Sequence, residues 1–191
     1  IVDAQNDFMP GGALEVREGD RIVPVINRII SKFELVVATQ DWHPADHKSF
    51  AVNHANRKEY EVIDLNGVEQ KLWPAHCIQG TSGADFHPKL QLNSVEAIFR
   101  SAMDVEVDSY SGFYDNAHQK STGLAGFLRE KGAEDLYFCG LAADICVYFT
   151  IKDALNEGFK ATLIEDATVP LFQEDFKKAR KDILERGGKI I

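Results

Sequence analysis

The stretch Leu136-Tyr-Phe-Cys-Gly-Leu-Ala-Ala-Asp-Ile-Cys146 decides the fold, because an apolar run passes through a turn of small residues before a helix begins. The near-continuous hydrophobicity of residues 136–139 is typical of a strand that is covered on both faces of a parallel sheet. After Asp144, apolar residues recur at helical spacing as far as Leu155, and Gly158 can end that helix. The order strand, turn, helix indicates one unit of an α/β fold.

The same pattern repeats on both sides of this stretch. The predicted strands are residues 1–3, 35–39, 97–100, 136–139, 161–164 and 189–191. The predicted helices are residues 22–30 after the candidate cap Asp20, 124–128 after Ser121 or Thr122, 147–155, and 173–186 before Gly187. This alternation predicts an α/β fold with a three-layer, doubly wound, mostly parallel sheet of six strands.

The middle of the chain, at about 41–91, lacks this rhythm. It is rich in His, Asn, Pro and Gly and contains both tryptophans. A segment of this length without regular structure is usually functional or disordered, and its aromatic content favours a function. No repeat or interdomain linker is visible, and 191 residues is the usual size of one domain. The sequence therefore predicts a single domain, 1–191, with an irregular metal- and substrate-binding insertion at about 41–91.

Composition excludes several classes of protein. The chain is 45% hydrophobic and 27% charged, as expected for a globular protein with a real core. Its net charge of -9 argues against binding to the phosphate backbone of nucleic acids. No apolar run approaches the roughly 20 residues that a bilayer span requires, and three cysteines are too few for a disulfide framework. We therefore expect a cytoplasmic protein that binds neither nucleic acid nor membrane. Targeting signals beyond either end and a homo-oligomer are left open.

Cys146 is the candidate nucleophile. It lies in the first turn of a predicted helix, where unpaired N–H groups and the helix dipole favour a thiolate. The same N–H groups can hold an oxyanion. On its own, a cysteine near a helix start is more often a small buried hydrophobic residue. Cys139, in the middle of a strand, is predicted to be a core residue, and Cys77 next to His76 is undecided.

Asp3 is the candidate proton acceptor. It ends the first predicted strand after two β-branched residues. A carboxylate at the exit of a central strand is partly desolvated, which raises its pKa toward the range of a general base. The alternative is a turn or capping aspartate, because Asn6 and Asp7 follow and Pro10 marks a loop. The local sequence supports the two interpretations equally.

Asp41 and His43 follow the second predicted strand. Residues i and i+2 of an extended chain point the same way, so both side chains can bind one metal ion. His76 is the natural third ligand, and His47 and His54 are further candidates nearby. Mixed nitrogen and oxygen ligands with open positions are typical of a catalytic divalent metal. Zinc is the expected ion, and iron or manganese would also suit these ligands.

Six motifs occur in order along the chain. They are Val2-Asp-Ala-Gln-Asn-Asp-Phe8, Pro10-Gly-Gly-Ala-Leu14, Thr39-Gln-Asp-Trp-His-Pro44, Trp73-Pro-Ala-His-Cys77, Asp108-Ser-Tyr-Ser-Gly-Phe113 and Gly140-Leu-Ala-Ala-Asp-Ile-Cys146. In this order and spacing they resemble the nicotinamidase/pyrazinamidase branch of the isochorismatase-like hydrolases from end to end. The resemblance implies that fold, together with a metal-dependent enzyme of NAD salvage that hydrolyses nicotinamide to nicotinate and ammonia.

The resemblance also implies the role of each reacting group. Cys146 attacks the carboxamide carbon and forms a thioester, and Asp3 takes the thiol proton. The backbone N–H groups of Ala142 and Cys146 hold the oxyanion. The Leu141–Ala142 peptide corresponds to the non-proline cis bond of the family.

The residues that the resemblance assigns to binding form two groups. The metal, which grips the pyridine nitrogen of the substrate, is held by Asp41, His43 and His76, with His47 as a ligand in some members only. The ring pocket is lined by Phe8, Trp73 and Tyr110.

One position departs from the family pattern. The family has a lysine ten residues before the serine of its Tyr-Ser-Gly-Phe motif, and here that position is Ser101. Arg100, one residue earlier, faces the opposite way on a strand and is more simply a surface charge. The work of the lysine is then done by Arg100, by the metal and backbone, or not at all. The alternatives are therefore a related cysteine hydrolase of another small amide, and a non-catalytic pyridine-binding relative.

Overall fold

The computed structural model describes all residues, 1–191, and alternates strands with helices as expected for an α/β fold. The strands are β1 (Val36–Asp41), β2 (Val62–Leu65), β3 (Val68–Lys71), β4 (Val95–Ser101), β5 (Asp135–Leu141), β6 (Lys160–Val169) and β7 (Lys189–Ile190). The helices are α1 (Ile22–Ile29), α2 (Leu124–Glu130), α3 (Cys146–Asn156) and α4 (Gln173–Glu185). None of these helices combines the length and apolarity that crossing a bilayer demands.

The strands form three sheets rather than the single predicted sheet. β1 pairs with β4, and β6 lies between β5 and β7, all in parallel. β2 and β3 form a separate antiparallel hairpin inside the middle segment, residues 41–91. The prediction of six strands in one sheet therefore differs from the seven strands observed, because the hairpin was not expected and residues 1–3 are not a strand.

Residues Ile1 and Val2 nevertheless run between the two parallel sheets. The amino group of Ile1 donates to Val37 O at 2.9 Å, and its carbonyl oxygen accepts from Thr39 N at 2.9 Å. Val2 bonds in the same way to β5, with Cys139 O at 2.7 Å and Leu141 N at 2.9 Å. These two residues make only an isolated bridge because the chain turns at Asp3, whose φ is 43°.

The other local predictions are close to the structure. The remaining five predicted strands and all four predicted helices are present, with ends that differ by up to five residues. Helix capping by Asp20 was wrong. Asp20 lies in a short 3-10 turn, Gly19–Arg21, and no side chain caps α1.

The core consists of two apolar clusters. One includes α1 and the other includes the buried sides of α2, α3 and α4. Leu163 and Ile164, neighbours on β6, belong to different clusters because successive strand side chains point to opposite faces. Full burial of each side chain of this size stabilises the fold by about 1.5–3 kcal/mol. β6 is thus covered on both faces, as its hydrophobic sequence predicts.

The middle segment is ordered by sparse backbone contacts and by buried side chains. Isolated bridges pair His43 with Ile78 and Phe50 with Trp73. Phe50 is fully buried. The expectation of an irregular segment is therefore correct except for the β2–β3 hairpin and a 3-10 turn, Ala51–Asn53.

Candidate active site

Side chains from distant parts of the sequence meet in one small cavity. Cys146 lines it together with Asp41, His43 and His76. Asp3 adjoins the cavity through a hydrogen bond with the Cys146 thiol. The structure thus brings the predicted nucleophile, proton acceptor and metal ligands into one place.

Cys146 is the first residue of α3, as the helical pattern predicts. The backbone N–H groups of Ala142 and Cys146 donate to no other group of the protein. The Leu141–Ala142 peptide is cis, as the resemblance implies. Two free N–H groups beside a thiol can stabilise an oxyanion that forms there.

The resting thiol of Cys146 differs from the expected thiolate. Burial raises its pKa well above the ordinary value, and the negative charges of Asp3 and Asp41 raise it further. Burial and the negative charges of two carboxylates therefore have a larger effect on the pKa of Cys146 than the N-terminus of the helix has. The thiol therefore keeps its proton at rest, next to the Asp3 carboxyl group.

Asp3 faces Cys146 rather than capping a turn. It is 3% exposed, and the Thr39 hydroxyl donates to its Oδ1 at 2.6 Å. Burial, followed by the negative charge of Asp41, raises the pKa of Asp3 to about 7. A carboxyl group with this pKa can both accept and release a proton near neutral pH. The capping role in this loop belongs to Asp7, which accepts from the N–H groups of Ala13 and Cys77.

The possible ligand atoms of Asp41, His43 and His76 lie within 4.8 Å of one another, so one metal ion could contact all three residues. Asp41 Oδ1 is 3.2 Å from His43 Nδ1, and Asp41 Oδ2 is 3.2 Å from His76 Nε2. His76 Nδ1 lies 2.7 Å from Pro74 O, which can only accept, so Nδ1 carries the proton. His76 Nε2 faces a carboxylate oxygen of Asp41, and a cation between the two atoms would make this arrangement favourable.

Two buried atoms of this cluster support the same conclusion. Asp41 Oδ1 and His43 Nδ1 have no hydrogen-bond partner, although neither is exposed. Buried polar atoms without partners are rare and destabilising, and a bound cation would satisfy both. One carboxylate and two imidazoles fit a divalent ion such as zinc, iron or manganese.

The other predicted histidines differ in position. His47 is buried, its Nδ1 accepts from Ser49 N at 3.1 Å, and its Nε2 has no partner. Its possible ligand atom lies near those of His43 and Asp108 rather than near those of Asp41 and His76. His54 contacts the backbone oxygen of Lys48 and lies outside the cluster.

The predicted ring-pocket residues also line this cavity. The Phe8 and His76 ring centroids are 5.5 Å apart. Trp73 Nε1 donates to the Tyr110 hydroxyl at 3.1 Å, and the two rings meet edge to face. Further apolar walls, which the sequence did not identify, are Leu14, Val16, Ile145 and Leu171. Leu14 ends one of the six motifs, but nothing in the sequence distinguishes Leu171.

Comparison with known proteins agrees with this geometry. The isochorismatase domain family matches residues 1–191. The nicotinamidase of Acinetobacter baylyi is 44% identical over 167 residues, covering 87% of this chain and 78% of the relative. The nicotinamidase of Escherichia coli is 46% identical over 170 residues, covering 87% and 79%.

The chain belongs to the nicotinamidase branch of the isochorismatase family.

Solved structures of the isochorismatase family share the fold. A nicotinamidase/pyrazinamidase of Acinetobacter baumannii superimposes with a TM-score of 0.97 at 43% identity, over 100% of this chain and 92% of that one. The pyrazinamidase of Pyrococcus horikoshii, in complex with zinc, gives a TM-score of 0.82 at 39% identity, over 100% and 96%. The α/β fold predicted from the sequence is thereby confirmed.

The lysine position of the family is occupied by buried Ser101, opposite Asp41 in the β1–β4 register. Arg100 pairs with Gln40 and points to the other face of the sheet. Its guanidinium stacks 3.9 Å from the Trp42 ring centroid, and its Nε donates to Gln40 Oε1 at 3.1 Å. No lysine or arginine lines the cavity.

Asp108 is part of the site, although no role is predicted for it from the sequence. It lines the cavity, and its Oδ1 lies 3.2 Å from His43 Nε2. Its position in the Asp108–Phe113 motif was the available signal. An acidic residue 65 positions away from a histidine cannot be paired with it without the fold.

Proposed function

We propose that this protein is a metal-dependent amidohydrolase that converts nicotinamide to nicotinate and ammonia. The observation that carries the proposal is the shared cavity of the Cys146–Asp3 pair and the cluster Asp41, His43 and His76. Relatives named nicotinamidase, at 44% and 46% identity, support the activity. A 36% identical structure from L. infantum, solved with nicotinate, supports this class of ligand.

Asp41, His43 and His76 would hold the metal, for which the zinc complex of the Pyrococcus horikoshii relative favours zinc. When bound, the ion supplies a Lewis acid to which the pyridine nitrogen of the substrate can bind. Phe8, Trp73 and Tyr110 enclose the ring, and the apolar walls exclude water.

The Cys146–Asp3 pair performs acyl transfer. The sulfur attacks the carboxamide carbon while its proton passes to Asp3, whose pKa of about 7 suits this transfer. The negative charge that forms on the carbonyl oxygen is held by the free N–H groups of Ala142 and Cys146. Asp3 then gives the proton to the amide nitrogen, the C–N bond breaks, and ammonia leaves a thioester on Cys146.

Hydrolysis of the thioester uses the same two side chains. Asp3 takes a proton from water as the water oxygen attacks the thioester carbon. The C–S bond breaks, and nicotinic acid leaves and ionises to nicotinate. Asp3 returns the proton to the sulfur of Cys146, which restores the resting thiol.

We also propose a continuous six-stranded, three-layer sheet in a single domain, 1–191, that carries the middle segment as an insertion. The hydrogen bonds of Ile1 and Val2 to both β1 and β5 support the continuity of the sheet. The two core clusters, with α1 in one and α2 to α4 in the other, support helices on both of its faces.

Ammonia release tests the function directly. Purified protein loaded with zinc should release ammonia from nicotinamide, lose this activity on chelation, and regain it when zinc is restored. Benzamide is the matched control because it lacks only the ring nitrogen that would bind the metal. Equal turnover of benzamide and nicotinamide, or full activity after chelation, would favour a related hydrolase of other small amides instead.

A further inference from the structure

Gln70, on β3, is a fully buried amide that the reaction does not use. It is 1% exposed. Its Nε2 lies 2.9 Å from Asp108 Oδ2, 3.0 Å from the Tyr110 hydroxyl and 2.7 Å from the backbone oxygen of Lys71. Because an ionised carboxylate only accepts hydrogen bonds, the amide nitrogen must face Asp108. The two N–H hydrogens of this nitrogen face three acceptors, so one hydrogen is shared between two of them, and the side chain contacts two different residues of the site.

Through Asp108, Gln70 is connected to a metal ligand. Asp108 is buried, its Oδ1 lies 3.2 Å from His43 Nε2, and it also accepts from Ser109 N at 2.8 Å. The carboxylate can accept the Nε2 proton of His43, which leaves Nδ1, 3.2 Å from Asp41 Oδ1, as the nitrogen available to a bound metal. Gln70 holds the other oxygen of Asp108 and so prevents this carboxylate from rotating.

Through Tyr110, Gln70 is connected to the ring pocket. The Tyr110 hydroxyl oxygen accepts from Gln70 Nε2 and from Trp73 Nε1, at 3.0 and 3.1 Å. Both aromatic residues line the cavity. The orientation of two pocket walls therefore depends on the same amide that orients Asp108.

We propose that Gln70 is a positioning residue that couples the orientation of His43, through Asp108, to the shape of the ring pocket, through Tyr110. The inference rests on the proposed function for the identity of the metal and the ring. Groups that orient a metal ligand from behind typically change metal affinity about 10–100-fold. Loss of the amide donor should therefore weaken both zinc binding and ring binding.

Two equilibrium measurements separate this inference from the catalytic proposal. The zinc dissociation constant is measured by competition with a chromogenic chelator, without nicotinamide. The nicotinamide dissociation constant is measured by quenching of tryptophan fluorescence at saturating zinc, in a Cys146→Ala background that prevents turnover. Neither value depends on ammonia release, so a protein without amidase activity can still pass or fail this test.

Three variants at different points of the network give distinct expected patterns. Gln70→Met, similar in size but without N–H donors, should raise both dissociation constants about tenfold or more. Asp108→Asn should raise mainly the zinc value, and Tyr110→Phe mainly the nicotinamide value. Gln79→Met is the matched control, because Gln79 is an exposed glutamine of the middle segment whose side chain bonds only the backbone oxygen of Trp42.

The proposal is overturned if folded Gln70→Met keeps both dissociation constants of the wild type, or if only one of them changes. If Gln70→Met does not fold, the other variants decide. Wild-type zinc affinity in Asp108→Asn, or wild-type nicotinamide affinity in Tyr110→Phe, would overturn the proposal. A purely structural role for Gln70 would lower the melting temperature of the zinc-free protein and leave both dissociation constants unchanged.

Discussion

The two sides of the site are built in different ways. Cys146 is placed by a regular element, as the first residue of α3, and Asp3 directly follows the residue that bridges to β5 between the two parallel sheets. His43, His76 and Trp73 belong to the middle segment, where isolated bridges take the place of strand ladders. The polar groups on both sides are nevertheless equally buried, with Asp3 3% and His76 5% exposed.

Side-chain hydrogen bonds replace regular structure in the middle segment. The Gln5 side chain bonds both the N–H and the carbonyl oxygen of Asp41 and also reaches Ala84 O. Asp7 accepts from the N–H of Cys77, next to His76. A buried site can therefore be held in place without helices or strands, provided that its backbone N–H and carbonyl groups form hydrogen bonds.

The largest effect on activity is expected at Cys146, on the side of the site that contains Asp3 and the first residue of α3 (the sheet side). Cys146→Ala should lower kcat for nicotinamide by at least about 10³-fold, because no other group can form the thioester. Zinc and nicotinamide dissociation constants should stay near those of the wild type. Cys139→Ala, a buried cysteine of β5 outside the cavity, should keep its activity within a few fold. If Cys146→Ala retained most of its turnover, the reaction would not proceed through a thioester on Cys146, and the metal cluster would have to carry it.

Substitutions in the middle segment should change mainly the affinity for the metal. His76→Ala removes one of three ligands, so zinc affinity and zinc-dependent turnover should both fall by more than about 100-fold. His118→Ala changes an exposed histidine and serves as the control. Unchanged zinc affinity in His76→Ala would contradict the ligand assignment.

Asp3 is expected to change a different quantity, the dependence of the free energy of unfolding on pH. Its folded pKa of about 7 exceeds its ordinary value of 3.8, so the native state binds more protons than the unfolded state between these pH values. Wild-type stability should fall as pH rises through this window, whereas Asp3→Asn has no such proton. The variant should therefore gain on the order of 4 kcal/mol relative to wild type between pH 4 and pH 8.

Urea unfolding of the zinc-free proteins at both pH values measures this difference. Thr39→Val, which removes the hydroxyl that donates to Asp3, should raise the pKa of Asp3 further and move the pH window upward. A pH-independent difference between Asp3→Asn and wild type would show that Asp3 is ionised throughout and exposed to water.

The smallest effect on activity is expected at Ser101, the position at which the family pattern has a lysine. Ser101→Lys places an ammonium group opposite Asp41, so it should stabilise the developing charge and raise kcat/KM by up to about tenfold. Arg100→Ala should leave kcat/KM within about twofold, because its guanidinium is held by Trp42 and Gln40 on the other face of the sheet. A tenfold loss in Arg100→Ala would identify this arginine as the substitute for lysine.

The sequence predicted the elements of the sheet side well. Hydrophobic period is a local property, so β5, α3 and the turn between them could be placed from residues 136–155 alone. The spacing of Asp41 and His43 likewise predicted that both would face one site. The cap assigned to Asp20 failed because the chain entered α1 through a 3-10 turn, a choice made by packing rather than by the side chain.

The amino-acid sequence by itself determined the α/β pattern, the family and the residue types that carry the chemistry. Only the tertiary structure decided which protons these residues hold and which neighbours orient them. The Cys146 thiol stays protonated because burial raises its pKa, and two carboxylates distant in sequence raise it further. His43 is oriented by Asp108, and Asp108 by Gln70, across 65 and 38 positions of the chain. Burial and charge act through space, so these effects become visible only when the chain is folded.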